Sequence, residues 1–305
     1  MKIAYHLPEK ALTNAELASD WDGWTPEKIF AKTGVRARRV AAPGETALDL
    51  AESACRRLFD ETGVAAASVD FLVLCTQSPE LRLPSSACLL QARLGLRVSC
   101  GALAIDHGCS GFVYALAVAK GLLAGGLAQN VLVVTAETYS RYLDAEDRAT
   151  RTIFGDGAAA ALVGADDMPR LGAFVFGTDG TGADKLIVRD GRLRMDGPEI
   201  FNFALEVVPS ALDAALAANG LAREAVDLFV FHQANRFMLD TLRTVCGLPR
   251  DRFYVNLETT GNTVSASIPI ALRQLRDAGR LAPGMRVALV GFGVGLSWGA
   301  TVVTV

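Results

Sequence analysis

The stretch Ala104–Gly126, "AIDHGCSGFVYALAVAKGLLAGG", passes from an apolar run through Gly108-Cys109-Ser110-Gly111 into a long apolar segment. A strand-length apolar run, a glycine-flanked turn and a helix-length segment in that order read as one βα unit. The turn holds a cysteine. A helix N-terminus presents unpaired N–H groups and the positive end of the peptide dipole, so a thiolate placed there is stabilised and its pKa falls. Gly108 and Gly111 permit a tight turn and close approach of a substrate. A small buried core thiol fits the same place, and the stretch alone leaves both readings open.

Outward from this unit the grammar repeats. Residues 69–78 (VDFLVLCTQS), 100–106 (CGALAID), 130–138 (NVLVVTAET) and 157–164 (GAAAALVG) read as strands, and 84–96 (PSSACLLQARLGL) as a helix. In the second part, residues 198–221 read as a helix closed by Asn219-Gly220. Residues 226–235 (VDLFVFHQAN) are a strand running into a loop, and 263–279 a helix with Pro269 as a local irregularity. Residues 285–305 are two strands around a Gly-rich turn. "VDFLVLCTQS" matches "VDLFVFHQAN", and "FGDGAAAALV" matches "GFGVGLSWGATVV", in the same order. The expectation is an α/β chain of two similar βαβαβ-type halves, residues 1–168 and 169–305, joined through "ADDMPRLG" (165–172).

Composition narrows the function classes. The chain has 305 residues, 51% hydrophobic and 21% charged, with a formal net charge of -3. Such a balance gives no overall basic excess for nucleic acid or an anionic membrane. No stretch reaches the roughly 20 uninterrupted apolar residues of a membrane span. "MKIAYHLPEK" lacks a secretory h-region, and the six cysteines show no CxxC pairing. The expectation is a cytoplasmic protein with free thiols and no metal. The "RARR" run, Arg36–Arg39, admits a solvated surface or a site for a phosphorylated carrier.

A nucleophilic thiol needs a partner, and there are three histidines, His6, His107 and His232. His6 has nothing around it in sequence, and His107 is expected on the far face of the strand from Cys109. His232 ends an apolar strand and opens a polar loop, where open α/β sheets place functional groups. Asn262, 30 residues later, precedes a helix. It is read either as an N-cap or as a neutral donor into the same cleft.

Taken together, "DHGCSGFVYAL", "FGDGAAAALV", "VFHQAN", "GNTVSASIPIAL" and "GFGVGLSWG" resemble β-ketoacyl-acyl carrier protein synthase III of the thiolase superfamily. "LPEKALTNAEL", "TGVRARR" and "MDGPEIFNFALEVVP" extend the resemblance across nearly the whole chain. It implies a thiolase-like fold layered α/β/α/β/α. It also implies that Cys109 takes an acyl group, and that His232 and Asn262 stabilise the enolate left when a malonyl thioester loses carbon dioxide. Backbone N–H groups of Cys109 and Val294 would form the acyl-transfer oxyanion site, with valine where the family has glycine. Substrates would be acyl-CoA or acyl carrier protein thioesters and a malonyl thioester, with no tightly bound cofactor. The partners implied are acyl carrier protein and a second copy of the chain, with residues 84–96 near that interface.

The departures are local. Arg148 matches a coenzyme A-binding arginine, but Lys28 stands where the stacking tryptophan belongs and Trp24 is displaced. Phe237 replaces an arginine used toward the carrier, beside Arg236. Leu83 replaces the residue that gates the partner's acyl tunnel. Phe154, Asn235 and Arg36 complete the set of substrate-binding candidates. These differences point to a specialised member. An acyltransferase without carbon–carbon bond formation, and a binding-only carrier partner, are the competing readings; intact Asn262 and the complete triad argue against them.

Overall fold

Strands that are apolar at every position must be covered on both faces, and burial follows that rule except over Gly101–Ile105, which is partly exposed. The structure is a computed structural model describing the backbone of residues 1–305 and every side chain except that of Pro169. The first part contains β1 (Lys2–His6), β2 (Ala11–Thr13), α1 (Asn14–Ser19), α2 (Pro26–Thr33), β3 (Ala37–Arg39) and α3 (Ala47–Thr62). Then come β4 (Phe71–Cys75), α4 (Ser86–Arg93), β5 (Gly101–Ile105), α5 (Gly111–Ala124), β6 (Asn130–Glu137), α6 (Arg148–Arg151) and β7 (Gly157–Gly164). The second part contains β8 (Leu171–Thr178), β9 (Leu186–Arg189), β10 (Arg192–Met195), α7 (Gly197–Ala218) and β11 (Leu228–Phe231). It closes with α8 (Arg236–Val245), α9 (Ser267–Asp277), β12 (Arg286–Gly293) and β13 (Ser297–Thr304).

Two main sheets result, beside the two-stranded pairs β2-β3 and β9-β10. One has the order β1-β7-β6-β4-β5 and the other β11-β12-β13-β8. In the first, β5, β4 and β6 run parallel, β7 pairs antiparallel to β6 and β1 antiparallel to β7; in the second, β11 and β12 are parallel, β13 pairs antiparallel to β12 and β8 antiparallel to β13. The sheets superpose in logic, with β11 in the role of β4, β12 of β6, β13 of β7 and β8 of β1. No fifth strand flanks β11; a single parallel bridge between Phe229 and Phe253 marks its place. The repeat seen in the sequence is therefore a repeat of strand roles.

Helices fill the remaining layers. α3 covers the outer face of the first sheet through Leu48, Leu50, Leu58 and their neighbours. Thr46 and Asp49 form its capping box, and Gly63 ends it in the left-handed conformation. α5 and α9 lie between the sheets, where Phe112, Leu116, Ile268 and Leu275 meet side chains from both. α7 covers the outer face of the second sheet with Phe203, Val208, Leu212 and Leu216. The order is α/β/α/β/α. Each fully buried leucine in these layers contributes on the order of 1.5–3 kcal/mol.

One expectation needs correction. Pro269 causes no irregularity, because it sits in the first turn of α9, where an N–H has no intrahelical partner. α7 is 22 residues long and apolar enough, by length and composition, to cross a membrane. Its apolar stripe is instead the inner face of an outer layer, and Glu199, Glu206 and Asp213 interrupt the rest.

Candidate active site

The two central helices begin near each other, and the site lies where they begin. Cys109 sits immediately before α5, buried at 5% exposure, on a turn held by the Gly111 N–H donating to the Gly108 carbonyl at 2.8 Å. His232 follows β11, and Asn262 lies in the turn leading to α9. All three line one narrow cavity of about 60 Å³, together with Phe154, Asn235, Phe292 and Gly293. A wider cavity of about 630 Å³ lies outside it, lined by Trp24, Arg148, Phe201 and Phe237. Ile153, Met195, Gly197, Asn235 and Met238 belong to both, so the outer space leads into the inner one.

The flanking glycines serve the protein's own packing. A Cβ on Gly108 would lie 2.5 Å from both Gln77 Oε1 and Val294 Cγ1, and one on Gly111 would strike Cys75 Sγ. The close approach expected of a substrate is made by neighbouring side chains. Gly293 is stricter still: its φ is 154°, and a Cβ there would lie 2.9 Å from Cys109 Sγ. Ser110 Oγ is 2.8 Å from Ser297 Oγ, which donates to the Val294 carbonyl at 2.8 Å. That chain ties the nucleophile's turn to the Gly293-Val294-Gly295 turn.

Electrostatics overturn the simple dipole expectation. Burial pushes the Cys109 thiol up to about 12, and nearby Glu137 adds to it. Hydrogen bonds from the backbone of Val294 and of Cys109 itself act against this without outweighing it. Desolvation of a fully enclosed thiol exceeds what a helix N-terminus supplies. Those same backbone groups reach the sulfur, where an oxyanion on a bound acyl group would lie. Burial pushes His232 down to about 3, only partly opposed by a hydrogen bond with the Val264 backbone. The resting pair is a neutral thiol and a neutral imidazole.

Hydrogen bonds aim the donors. His232 Nδ1 lies 2.8 Å from Ser267 Oγ, and the Gln233 N–H donates to the same oxygen at 3.4 Å. We assign the serine hydrogen to Nδ1, which makes Nε2 the ring nitrogen that carries the hydrogen. Asn262 Oδ1 accepts the Val264 N–H at 2.9 Å, so its Nδ2 hydrogens remain for a ligand. The Asn262 backbone is clamped to the Phe154 turn, donating to the Ile153 carbonyl and accepting the Gly155 N–H, both at 2.9 Å. Asn262 is thus a donor in a turn, and not the N-cap of α9, whose cap residue is Ala266.

Other candidates fall elsewhere. Lys28 donates to the Gly23 carbonyl at 2.9 Å and lies over the Trp24 ring, outside both cavities. Trp24 itself faces Arg148, whose guanidinium carbon is 5.8 Å from its ring centroid at the outer cavity. Arg36 pairs with Glu258 at 2.5 Å and borders a separate surface cleft. Arg38 is fully buried, donating to Leu12, Asn14 and Thr152, so the "RARR" run is neither fully solvated nor wholly free to bind phosphate. Arg236 borders a groove with Arg243, Arg250 and Arg280 instead of the mouth. Leu83 is 85% exposed and lines neither cavity of its own chain. His107 packs edge-on against Tyr114, away from Cys109, as expected. Sequence reading missed Ser267 and Met238; the serine was visible in "TVSAS", but nothing there reveals its histidine partner.

Known proteins match this chain along nearly their whole length. The family model for 3-oxoacyl-[acyl-carrier-protein (ACP)] synthase III matches residues 103–180, and that for its C-terminal region matches 216–305. A beta-ketoacyl-[acyl-carrier-protein] synthase III of Xanthomonas euvesicatoria pv. vesicatoria is 38% identical, over 97% of this chain and 94% of its own. A crystal structure of a 3-oxoacyl-(acyl-carrier-protein) synthase III is 49% identical with a TM-score of 0.97, covering 99% of this chain and 98% of that one. The Thermus thermophilus enzyme of the same name is 41% identical with a TM-score of 0.92, at the same two coverages. Fold, sequence and cavity agree: the chain belongs to the β-ketoacyl-acyl carrier protein synthase III family.

Proposed function

We propose that the chain catalyses a decarboxylative Claisen condensation between an acyl thioester and a malonyl thioester on acyl carrier protein. The observation that carries this reading is the meeting of Cys109, His232 and Asn262 in one enclosed cavity at the foot of a wider one. The Cys109 sulfur attacks the acyl carbonyl, and the oxyanion rests on the N–H groups of Cys109 and Val294. The first carrier leaves as a thiol, taking the proton that Cys109 gave up. The malonyl group then loses its carboxylate as carbon dioxide. The electron pair released forms an enolate whose oxygen accepts hydrogen bonds from His232 Nε2 and Asn262 Nδ2. Its carbon attacks the acyl-enzyme carbonyl, and the Cys109 thiolate departs and is reprotonated. The product is a β-ketoacyl thioester.

Each half, residues 1–168 and 169–305, supplies one part of this chemistry, and no tightly bound cofactor is required. Trp24 and Arg148 flank the outer cavity, where the nucleotide end of coenzyme A would rest; the pantetheine arm would follow Met195, Asn235 and Met238 inward. We read the protein as a cytoplasmic homodimer in fatty-acid or related lipid synthesis. β5 is a sheet edge carrying exposed Leu103, and Leu83 and Val98 are exposed as well, a surface suited to a second copy.

The test uses a labelled acyl thioester followed by malonyl-acyl carrier protein. The expected result is an acyl mass added to Cys109, then release of carbon dioxide and a β-keto product. No adduct would overturn the enzymatic reading. An adduct with no decarboxylation across a panel of malonyl carriers would turn it toward simple acyl transfer.

A further inference from the structure

Glu137 is the last residue of β6, fully buried at the end of a mostly apolar strand. Among the described residues it has no cationic partner. It accepts hydrogen bonds from Ser78 Oγ at 2.7 Å, the Gln77 N–H at 3.1 Å and Ser265 Oγ at 2.7 Å. A buried carboxyl group without a cation is costly, and the three donors are what keep it in place. Two of them belong to the loop after β4, in the first half. The third, Ser265, belongs to the turn between Asn262 and α9, in the second half.

That turn carries one proposed enolate donor, Asn262, and leads into Ser267, which holds the other, His232. Val264 donates its N–H to Asn262 Oδ1, and Ser267 holds His232 Nδ1. The Ser265–Glu137 hydrogen bond fastens this turn to the first sheet. Val264 has a φ of 52°, a conformation disfavoured for a β-branched residue. The turn therefore needs outside support to keep its shape. Gln77 continues the network toward the nucleophile: its Oε1 accepts from Tyr139 at 2.7 Å and packs where a Gly108 side chain would be.

We infer that Glu137 is a positioning residue for condensation: through Ser265 it holds the Asn262 turn of one half in register with the Cys109 turn of the other. The inference rests on the reaction proposed above. Its charge state matters as well as its place. Burial pushes the Glu137 carboxyl up to about 8, its three donors acting against this and Asp106 reinforcing it. The ionisable groups that face it are Cys75, Asp106, Cys109, Tyr139 and Tyr142. None supplies a positive charge. Near pH 7 it is largely a neutral acid; above pH 8 it carries a negative charge behind the turn that positions the enolate donors.

The test measures Cys109 acylation and condensation separately for wild type, Ser265→Ala, Glu137→Ala, the double variant and Glu137→Gln. Ser265→Ala and Glu137→Ala each slow condensation about tenfold in kcat, with little change in KM and with acylation within about twofold of wild type. The double variant is no slower than either single one, because both remove the same link. Glu137→Gln recovers most of the rate and loses the fall in activity between pH 7 and 9. Wild-type condensation by Ser265→Ala, or equal loss of both steps in Ser265→Ala, overturns the inference. If Glu137→Ala does not fold, Ser265→Ala and Glu137→Gln decide it. A wild-type protein that forms no acyl-enzyme defeats the proposed function instead.

Discussion

The turn before α5 and the turn before α9 occupy matching places in the two halves, yet they handle charge by different means. Before α5, a thiol faces backbone N–H groups of Cys109 and Val294, and the side chains around it serve packing. Before α9, the useful donors are side chains, Asn262 in the turn and His232 from the neighbouring loop. Each is fixed by one hydrogen bond at the atom turned away from the cavity. Backbone donors suit an oxyanion that forms at one covalently fixed carbon. Side-chain donors suit an enolate arriving on a mobile carrier, since their aim is set by replaceable partners. On the proposed mechanism the Cys109 turn captures, with Val294 lent from the other half, and the Asn262 turn polarises.

Four substitutions or conditions test that division. Cys109→Ala removes the capturing atom, and condensation should fall by roughly 10⁴-fold or more with no acyl adduct by mass spectrometry. Asn262→Ala should slow condensation about 10²–10³-fold, the size of one lost oxyanion donor, while leaving a detectable acyl-enzyme. Equal loss in both steps would mean the halves do not divide the labour. Gly293→Ala places a methyl group against Cys109 and should slow acylation about 100-fold, while Val294→Gly keeps the N–H donor and should change it less than about tenfold. Single-turnover acylation rates distinguish the two.

The smallest effect concerns stability. His232 is held neutral with a pKa near 3, below its ordinary value of 6.5. Between those values the unfolded chain binds a proton that the folded chain does not, so stability is full above pH 6.5 and is lost as pH falls toward 3. Melting temperature should drop over that window, and His232→Gln should drop less. Glu137, raised to about 8, acts in the opposite sense: it lowers stability as pH rises from the ordinary carboxylate range to 8.

Much of this was legible in the sequence because it depends on order along the chain. Strand roles repeat as "VDFLVLC" and "VDLFVF", and the cysteine, histidine and asparagine each stand at a strand end or helix start. What was not legible depends on enclosure and on contacts between distant segments. The thiol's pKa follows from burial by elements up to 185 residues away, which no local helix dipole reveals. Arg38 looked like one charge of a surface run, yet carbonyls at Leu12 and Thr152 hold it in the interior. Trp24 lines the outer cavity whereas Lys28, the position reached by counting back from "TGVR", lies outside it, because the cavity selects by position in space.

The shared wall of the two cavities sets a rule of traffic. Ile153, Met195, Gly197, Asn235 and Met238 border both the outer space and the inner chamber. The spent first carrier and the incoming second one therefore contend for the same doorway. A molecule queued there excludes the next, so the two half-reactions alternate. Free coenzyme A should slow the second substrate by occupying its approach, even though it cannot react again.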